Sequence, residues 1–515
     1  VPDESRTPVL VGVGQLRANR ERTVDGAREP LDLVAQALRL AGRDAGAPDL
    51  LRAADAVFAI RTASWAYDDL AASVAASTGA APRTCENTAL GGHLPARLLD
   101  RASAAIWAGE SDVAVIVGGE AQASANVLAK AGVDPRERGW SAAPGGPPPL
   151  DLGELGSAEM LAAGLFLPPR MYPLFENRLQ ADLGLTPEEN AAWSARLYAD
   201  LSRVAAQNPH AWNPEELTPE QVGTVGPGNR MVCEPYPLSM NAMPNVDQAV
   251  AVVVTSLRAA RRHGIPEDRL TYVWGGAGAD DLPDPLRRTG FSGSEALGRA
   301  LDSSLEAAGL GIGDVDLVDV YSCFPIVPKL ATLHLGLDRD AVLSVAGGHS
   351  AFGGPLNTYS LHAVATMVER LRAGAGTGLV HANGGYLSYQ HSVLLGARPH
   401  PEGYVGSPEP ARVTHPDAPP VLEAATAAQD GPELTVETAT VEHGRDGAPQ
   451  QAFVVGRLPS GERVAAATAP DDRTAAAALS LAALPPGAVS HVGRTVRLSL
   501  RDGQAAVTLP SGAPA

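Results

Sequence analysis

Apolar positions recur along the chain in two alternating rhythms. Residues Pro8 to Gly14 (PVLVGVG) form a continuous apolar run ending in glycine, the pattern of a short buried strand. From Leu31 to Arg43, Leu33, Val34, Ala37, Leu38 and Ala41 follow the 3.6-residue period of a helix. A strand is then predicted at Ala54 to Ile60, a helix from about Pro95 to Ala108, and a strong strand at Asp112 to Gly119. Strands and helices alternating at these lengths predict a parallel or mixed sheet covered by helices.

The second half repeats this grammar. Ser294 to Gly309 reads as a helix ending in Ala-Ala-Gly, as Leu33 to Gly42 ends in Ala-Gly, and each leads to an Asp-containing strand. Pro95 to Gly109 is echoed by Tyr359 to Gly374, and the strands that follow end in Gly118-Gly119 and Gly384-Gly385. Helix–glycine–strand units occur in any α/β chain; their common order is what favours an internal duplication, offset by about 265 residues.

Between the halves lies a different texture. Gly139 to Pro149 is rich in Gly and Pro, helices are predicted around Met171 to Leu183 and Pro187 to Gln207, and a loop carries Trp212 and Asn213. Asp247 to Ser256 returns to a buried strand. After Gly396, a proline-rich stretch to Pro420 reads as a linker. Beyond it, Glu433 to Glu442, Ala452 to Arg457 and Glu462 to Thr468 read as strands, with a turn at Pro459 to Gly461. An alanine-rich helix, Thr474 to Ala483, and a hairpin turning at Asp502-Gly503 follow. The expected division is a first half at 1–122, completed by a strand at 246–258, with an insertion at 123–245. A second half at 259–397, a linker at 398–420 and a small β-rich domain at 421–515 complete it, the last with an OB-like barrel as a candidate form.

Composition narrows the function. At 515 residues the chain is too long for one core, since domains average about 150 residues. Its net charge of −18 opposes non-specific nucleic-acid binding. Lys130 and Lys329 are the only lysines, so Schiff-base chemistry is a poor first expectation. Cys85, Cys233 and Cys323 cannot build a disulfide framework and fit a reducing cytoplasm. The start of the chain lacks a signal-like pattern, and no apolar run approaches the ~18 residues of a membrane span. The expectation is a soluble cytoplasmic protein. No Cys–His spacing suits zinc, so no metal is expected. Asp280, Asp281 and Asp284 read as a charge cluster facing solvent.

Several ordered segments resemble the thiolase superfamily. These are HLPARLLDRASAAIWAGESDVAVIVGGEA after the nucleophile position, NAMPNVDQAVAVVV, DVDLVDVYSCF, GGHSAFGGPLNTYS and HANGGYLS. With YPLFENRL and the β-rich tail, the chain is similar to thiolase-like proteins with an additional C-terminal domain, often labelled acetyl-CoA acetyltransferase. The resemblance covers about residues 8 to 397 and implies a duplicated five-layer αβαβα fold with an inserted loop domain. It also implies CoA or an acyl-CoA as substrate or ligand, with no covalently bound cofactor, in lipid metabolism.

The usual acyl-transfer residues do not carry over. A thiolase attacks with a cysteine thiolate at a helix N-terminus, aided by a histidine, a second cysteine and oxyanion donors. Here the nucleophile position falls on Gly92, the motif histidine on Gly354, and the second cysteine near Ala382 or Asn383. Tyr321 and Ser322 stand where asparagine and glutamate are usual.

The candidates that remain are of three kinds. Gly91 and Gly92 offer backbone N–H groups at a helix start, or simply a tight-packing turn. His93 and His349 become base and thioester polariser if both face one cavity, and are otherwise ordinary loop histidines. Cys323 and Cys85 are further catalytic candidates, although a free cysteine is more often a buried small hydrophobe. Asn357, Tyr359, Asn383 and His391 suit a carbonyl or pantetheine amide, and Tyr172, Phe175 and Asn241 suit CoA. Two readings stay open: an acyltransferase or carbon–carbon bond enzyme without the usual cysteine, or a non-catalytic acyl-CoA-binding or scaffold subunit of a lipid or polyketide pathway. In either, a homodimer or a partner protein met through the C-terminal domain is a candidate.

Overall fold

The computed structural model describes residues 4–149, 151, 153, 156–501 and 503–509. The apolar runs become the strands at its centre. Val113–Ala121 and Asp247–Ser256 are buried at every position, because helices cover both faces of the sheet at its centre.

Both halves use the same pairing. In the first, Ala56–Ala59 runs parallel to Val113–Ala121, which pairs antiparallel with Asp247–Ser256, which pairs antiparallel with Pro8–Arg17. In the second, Leu317–Val320 runs parallel to Thr377–Gly384, followed antiparallel by Tyr389–Gly396 and Thr271–Asp280. The halves join where Val9 and Leu10 meet Tyr272 and Thr271. The expected duplication is therefore a repeat of strand order and strand direction, and the α/β duplicated fold is the one observed.

The helix Leu94–Ala108 has Pro95 in its first turn and stops at Gly109, whose φ of 79° ends it in a left-handed cap. Its apolar face, Ala96, Leu98, Leu99, Ala102 and Ile106, is buried in the core between the halves. This anchors the Gly91-Gly92 turn that precedes it.

The C-terminal domain is a closed five-stranded barrel. Around it run Glu433–His443, Pro449–Arg457, Arg463–Ala467, Gln504–Thr508 and Thr495–Arg501, which returns to Glu433–His443. That order, first-second-third-fifth-fourth, with the helix Arg473–Ala478 between third and fourth, is OB-like.

Several boundaries differ from the sequence reading. The proline-rich linker supplies a strand, Ser407–Arg412, parallel to Thr271–Asp280. The insertion is tied to the barrel, because Cys233 of Met231–Cys233 pairs with Glu442. The alanine-rich helix ends at Ala478, and Ser480 then caps a short turn, Leu481–Ala483. Asp502 of the last hairpin lies outside the described residues.

The Asp280–Asp284 cluster does not face solvent as a group: Asp281 and Asp284 are buried. Asp281 Oδ1 accepts from Leu282 N–H and lies 2.7 Å from His415 Nε2, while Asp284 Oδ1 accepts from Leu286 N–H at 2.8 Å. These carboxylates satisfy turn amides and hold the linker, which is why they are inside.

Candidate functional site

A cavity of about 330 Å³ lies where the strand ends of the second half meet the Gly91-Gly92 turn and the insertion. Tyr172, on the helix Pro168–Asp182, forms one wall. Tyr321, Cys323 and Phe324 follow the strand Leu317–Val320, His349 comes from the turn Gly348–Phe352, and Asn383 from the end of Thr377–Gly384. None of the described lining residues is Asp, Glu, Lys or Arg. An uncharged, largely apolar pocket with aromatic walls and a few polar groups is the usual form of a small-molecule site.

Gly92 and Tyr321 are fitted to one another. A Cβ placed on Gly92 would lie 2.3 Å from the Tyr321 hydroxyl and 2.7 Å from the Asn383 carbonyl oxygen. The tyrosine hydroxyl thus fills the space that a side chain at position 92 would need. Burial raises the Tyr321 phenol above its ordinary value, with Cys323 adding to the shift, so it is a neutral donor. Its hydroxyl makes no hydrogen bond to another described residue.

His349 is the second uncommitted group. Its Nδ1 accepts from the Ser322 backbone N–H at 3.3 Å, with Ser322 Oγ at 3.4 Å. Its ring stacks on Tyr359 at 3.7 Å and sits 4.1 Å from the Tyr321 ring. Burial drives its pKa well below the ordinary value, so the imidazole is neutral. Acceptance at Nδ1 leaves the proton on Nε2, which is buried without a partner. A neutral imidazole presenting N–H is suited to polarise a carbonyl.

The remaining wall is largely spoken for. Asn383 Nδ2 donates to the Tyr172 hydroxyl at 2.9 Å, and that hydroxyl donates to the Gly385 carbonyl at 2.7 Å. Gln390 Nε2 donates to Asn383 Oδ1 at 2.7 Å, so both amide groups of Asn383 are engaged. Asn357 accepts from Gly91 N–H at 3.0 Å and donates to the Arg61 carbonyl at 2.9 Å. Gly91 N–H is therefore not available to an oxyanion, whereas Gly92 N–H has no partner among the described residues. Cys323 borders the cavity, but burial pushes its thiol up to about 12, leaving almost no thiolate at neutral pH. Gly354 and Asn241 also line the cavity; Asn241 Nδ2 donates to the Pro237 carbonyl at 2.8 Å.

Other sequence candidates lie elsewhere. His93 does not share the cavity with His349: its ring packs where side chains on Gly91 and Gly384 would be, and stacks on Tyr389 at 5.2 Å. Burial first, then nearby His391 and Arg97, lower its pKa to about 3. His391 is buried, with Nε2 3.0 Å from Asp100 Oδ2, away from the lining. Cys85 is exposed on the strand Thr84–Asn87 at the edge of the sheet, so its seven-residue separation from Gly92 does not bring it to the site. Phe175 turns from the cavity and packs on Phe291 at 5.1 Å. Ser322 acts behind the wall, on His349. Cys233 is buried near Thr440 in the barrel interface.

Tyr386, Phe324 and Tyr389 line the cavity without having been singled out. Their signal was present, since Tyr386 follows the glycine pair at the end of a second-half strand and Phe324 follows Cys323. Among the described residues, no group of three or more His, Cys, Asp or Glu is placed to hold a metal ion. No helix among them is long and apolar enough to cross a membrane.

Comparisons with known proteins bear on the family and the fold. Residues 409–496 match the family described as Thiolase-like protein type 1 additional C-terminal domain. An acetyl-CoA acetyltransferase of Methanothermobacter thermautotrophicus is 29% identical over 225 residues, 40% of this chain and 56% of that protein. The chain thus spans little more than half the length of this curated relative. The crystal structure of a monomeric SCP2-thiolase like protein type 1 from Mycobacterium smegmatis superposes with a TM-score of 0.78 at 28% identity, covering 98% of this chain and 99% of that one. Human mitochondrial 3-ketoacyl-CoA thiolase, solved in complex with CoA, is similar in fold alone, with a TM-score of 0.56 at 17% identity over 76% of this chain and 98% of that one.

Proposed function

This chain is a thiolase-like member of the thiolase superfamily, and we propose that it binds acyl-CoA thioesters and acts on the thioester carbonyl without a nucleophilic cysteine. The observation that carries the reading is the Tyr321 hydroxyl seated in the side-chain space of position 92. Beside it, His349 holds a proton on Nε2 with no acceptor. A thioester carbonyl entering the cavity would meet these donors and the Gly92 N–H.

Donors aimed at a carbonyl oxygen stabilise the negative charge that develops there in acyl transfer or in enolate formation. Enolate formation weakens the adjacent C–H or C–C bond, so carbon–carbon chemistry remains open to a site that cannot form an acyl-enzyme. CoA enters as substrate or ligand, and no covalently held cofactor is part of the reading. Three free thiols suit a reducing cytoplasm.

A second reading is a non-catalytic acyl-CoA-binding or scaffold subunit, with a partner protein or a second copy docking on the barrel. The cavity's lack of an ionised side chain, with Cys323 held as a thiol, favours it. Acetyl-CoA and longer acyl-CoA esters, incubated with the full chain, separate the two. CoA release that disappears in His349→Ala supports the enzyme, and a raised melting temperature without turnover supports the binder. Esters that neither bind nor shift melting overturn both.

A further inference from the structure

The barrel touches the cavity wall by two separate routes, and both end in named hydrogen bonds. The first begins at Arg463, on the barrel strand Arg463–Ala467, whose guanidinium is fully buried. Glu437 of the barrel binds it, with Oε2 2.8 Å from Nε and Oε1 2.6 Å from Nη2. The rest of the guanidinium crosses into the core: Nη1 donates to the Leu286 and Arg288 carbonyls at 2.6 Å each, and Nη2 donates to the Thr289 carbonyl at 3.2 Å.

Arg288 continues the route. Its Nη1 donates to the Tyr386 carbonyl at 2.9 Å and its Nη2 to Ser388 Oγ at 2.7 Å. Tyr386 and Ser388 both line the cavity. The second route reaches the adjoining wall, where the Tyr172 hydroxyl donates to the Gly385 carbonyl. Thr438 Oγ1 donates to the Leu174 carbonyl at 2.6 Å, and Asn177 Nδ2 donates to the Ala439 carbonyl at 2.8 Å. Leu174 and Asn177 follow Tyr172 on the helix Pro168–Asp182, just past Pro173, which cannot donate a helical hydrogen bond.

We propose that the C-terminal barrel is a positioning element of the cavity: Arg463 fixes the Tyr386–Ser388 wall through Arg288, and Thr438 fixes the Tyr172 wall. This deepens the proposed function and rests on the cavity being its site, but the wall positions can be read without any CoA ester. A guanidinium is matched to the task because its planar fork serves a carboxylate and several carbonyls at once, which an ammonium cannot do.

The test uses the full chain with Cys85→Ser and Cys233→Ser at about pH 9, where enough thiolate forms for an uncharged thiol reagent to report only on Cys323 in the cavity. Thr438→Val is expected to raise the Cys323 labelling rate by about fivefold, the scale of one lost hydrogen bond, and Arg463→Met, which loses several, by at least as much. Amide exchange should rise at 384–389 in the first variant and at 171–178 in the second. Arg463→Lys keeps a charge against Glu437; its melting temperature should recover most of the loss while Cys323 labelling stays raised. Labelling that follows melting temperature across all the variants would mean that the barrel only adds stability, and overturns the proposal. So does unchanged labelling in folded Arg463→Met, or, should that variant not fold, in Thr438→Val. Altered labelling with no CoA-ester binding by the unmodified chain would keep the positioning role and remove the proposed ligand.

Discussion

The two halves of the core share a strand order, yet the polar residues beyond one pair of corresponding strands are used differently. After the strand Ala56–Ala59, Glu120 accepts from Ala63 N–H at 2.8 Å, Ser64 N–H at 2.9 Å and Ser64 Oγ at 2.6 Å. Nothing in that cluster is left for a ligand. After the corresponding strand Leu317–Val320, the Tyr321 hydroxyl has no protein partner among the described residues, and His349 Nε2 is likewise unpaired. Buried polar groups are normally satisfied, so an unpaired pair bordering a cavity is the arrangement the proposed function calls for. The duplication repeats a backbone, while the unpaired side-chain groups at the cavity come from the second copy and the first contributes the Gly92 turn.

The sharpest way to break this contrast is to remove the unpaired donors. Tyr321→Phe combined with His349→Ala should lower any CoA release by about 100-fold or more, the usual loss when positioned donors or acids are removed. Steady-state release with an acyl-CoA ester measures it, and an unchanged rate would assign the chemistry elsewhere.

The next effect is steric. Gly92→Ala places a methyl carbon against the Tyr321 hydroxyl and should cost about 1–3 kcal/mol, shared between stability and ligand binding. Denaturant unfolding and titration calorimetry follow it. Gly92→Cys should form no acyl-enzyme for the same reason, whereas Gly92→Cys with Tyr321→Ala removes the hydroxyl clash and leaves only the Asn383 carbonyl, 2.7 Å from a Cβ, to shift. Mass spectrometry after mixing with acetyl-CoA distinguishes them.

The satisfied cluster should respond as a stability element alone. Burial raises the Glu120 carboxyl from 4.5 to about 7 against the pull of its three donors. A carboxyl raised in the folded state is more readily protonated there than in the unfolded chain. Its stabilising linkage is therefore full below 4.5 and is lost as pH rises through about 7. Glu120→Gln cannot titrate, so wild-type stability relative to that variant should fall across this window by at most about 1.4 kcal/mol per pH unit. Melting curves between the two pH limits test the sign, and CoA-ester affinity should not change. The smallest effect belongs to exposed Cys85: Cys85→Ser should shift stability by less than about 0.5 kcal/mol and leave ligand binding intact.

Much of the site was legible because motif order survives. Gly91, Gly92, Tyr172, Asn241, Tyr321, Cys323, His349, Gly354, Asn357 and Asn383 do border one cavity. The sequence could not separate His349 from His93, because both sit in glycine-flanked loops. One ring borders the cavity and the other packs against Gly384 and Tyr389, a matter of side-chain direction that spacing does not encode. Cys85 misled through proximity along the chain, since its strand lies at the far edge of the sheet. The barrel's ties to the insertion were invisible for a related reason: Cys233 meets Glu442 across some two hundred residues of chain, and no local pattern announces that pairing.

The sequence by itself determined the alternating α/β elements, their duplication and the absence of a cysteine at the nucleophile position. Those properties follow from hydrophobic period, turn residues and residue identity, all of which are local. Only the tertiary structure decided that the Tyr321 hydroxyl takes the space over Gly92, that Ser322 sets the His349 tautomer, and that Arg463 reaches the cavity wall through Arg288. Each of these depends on atoms brought within hydrogen-bond or van der Waals distance from distant parts of the chain, where packing rather than sequence spacing sets the geometry.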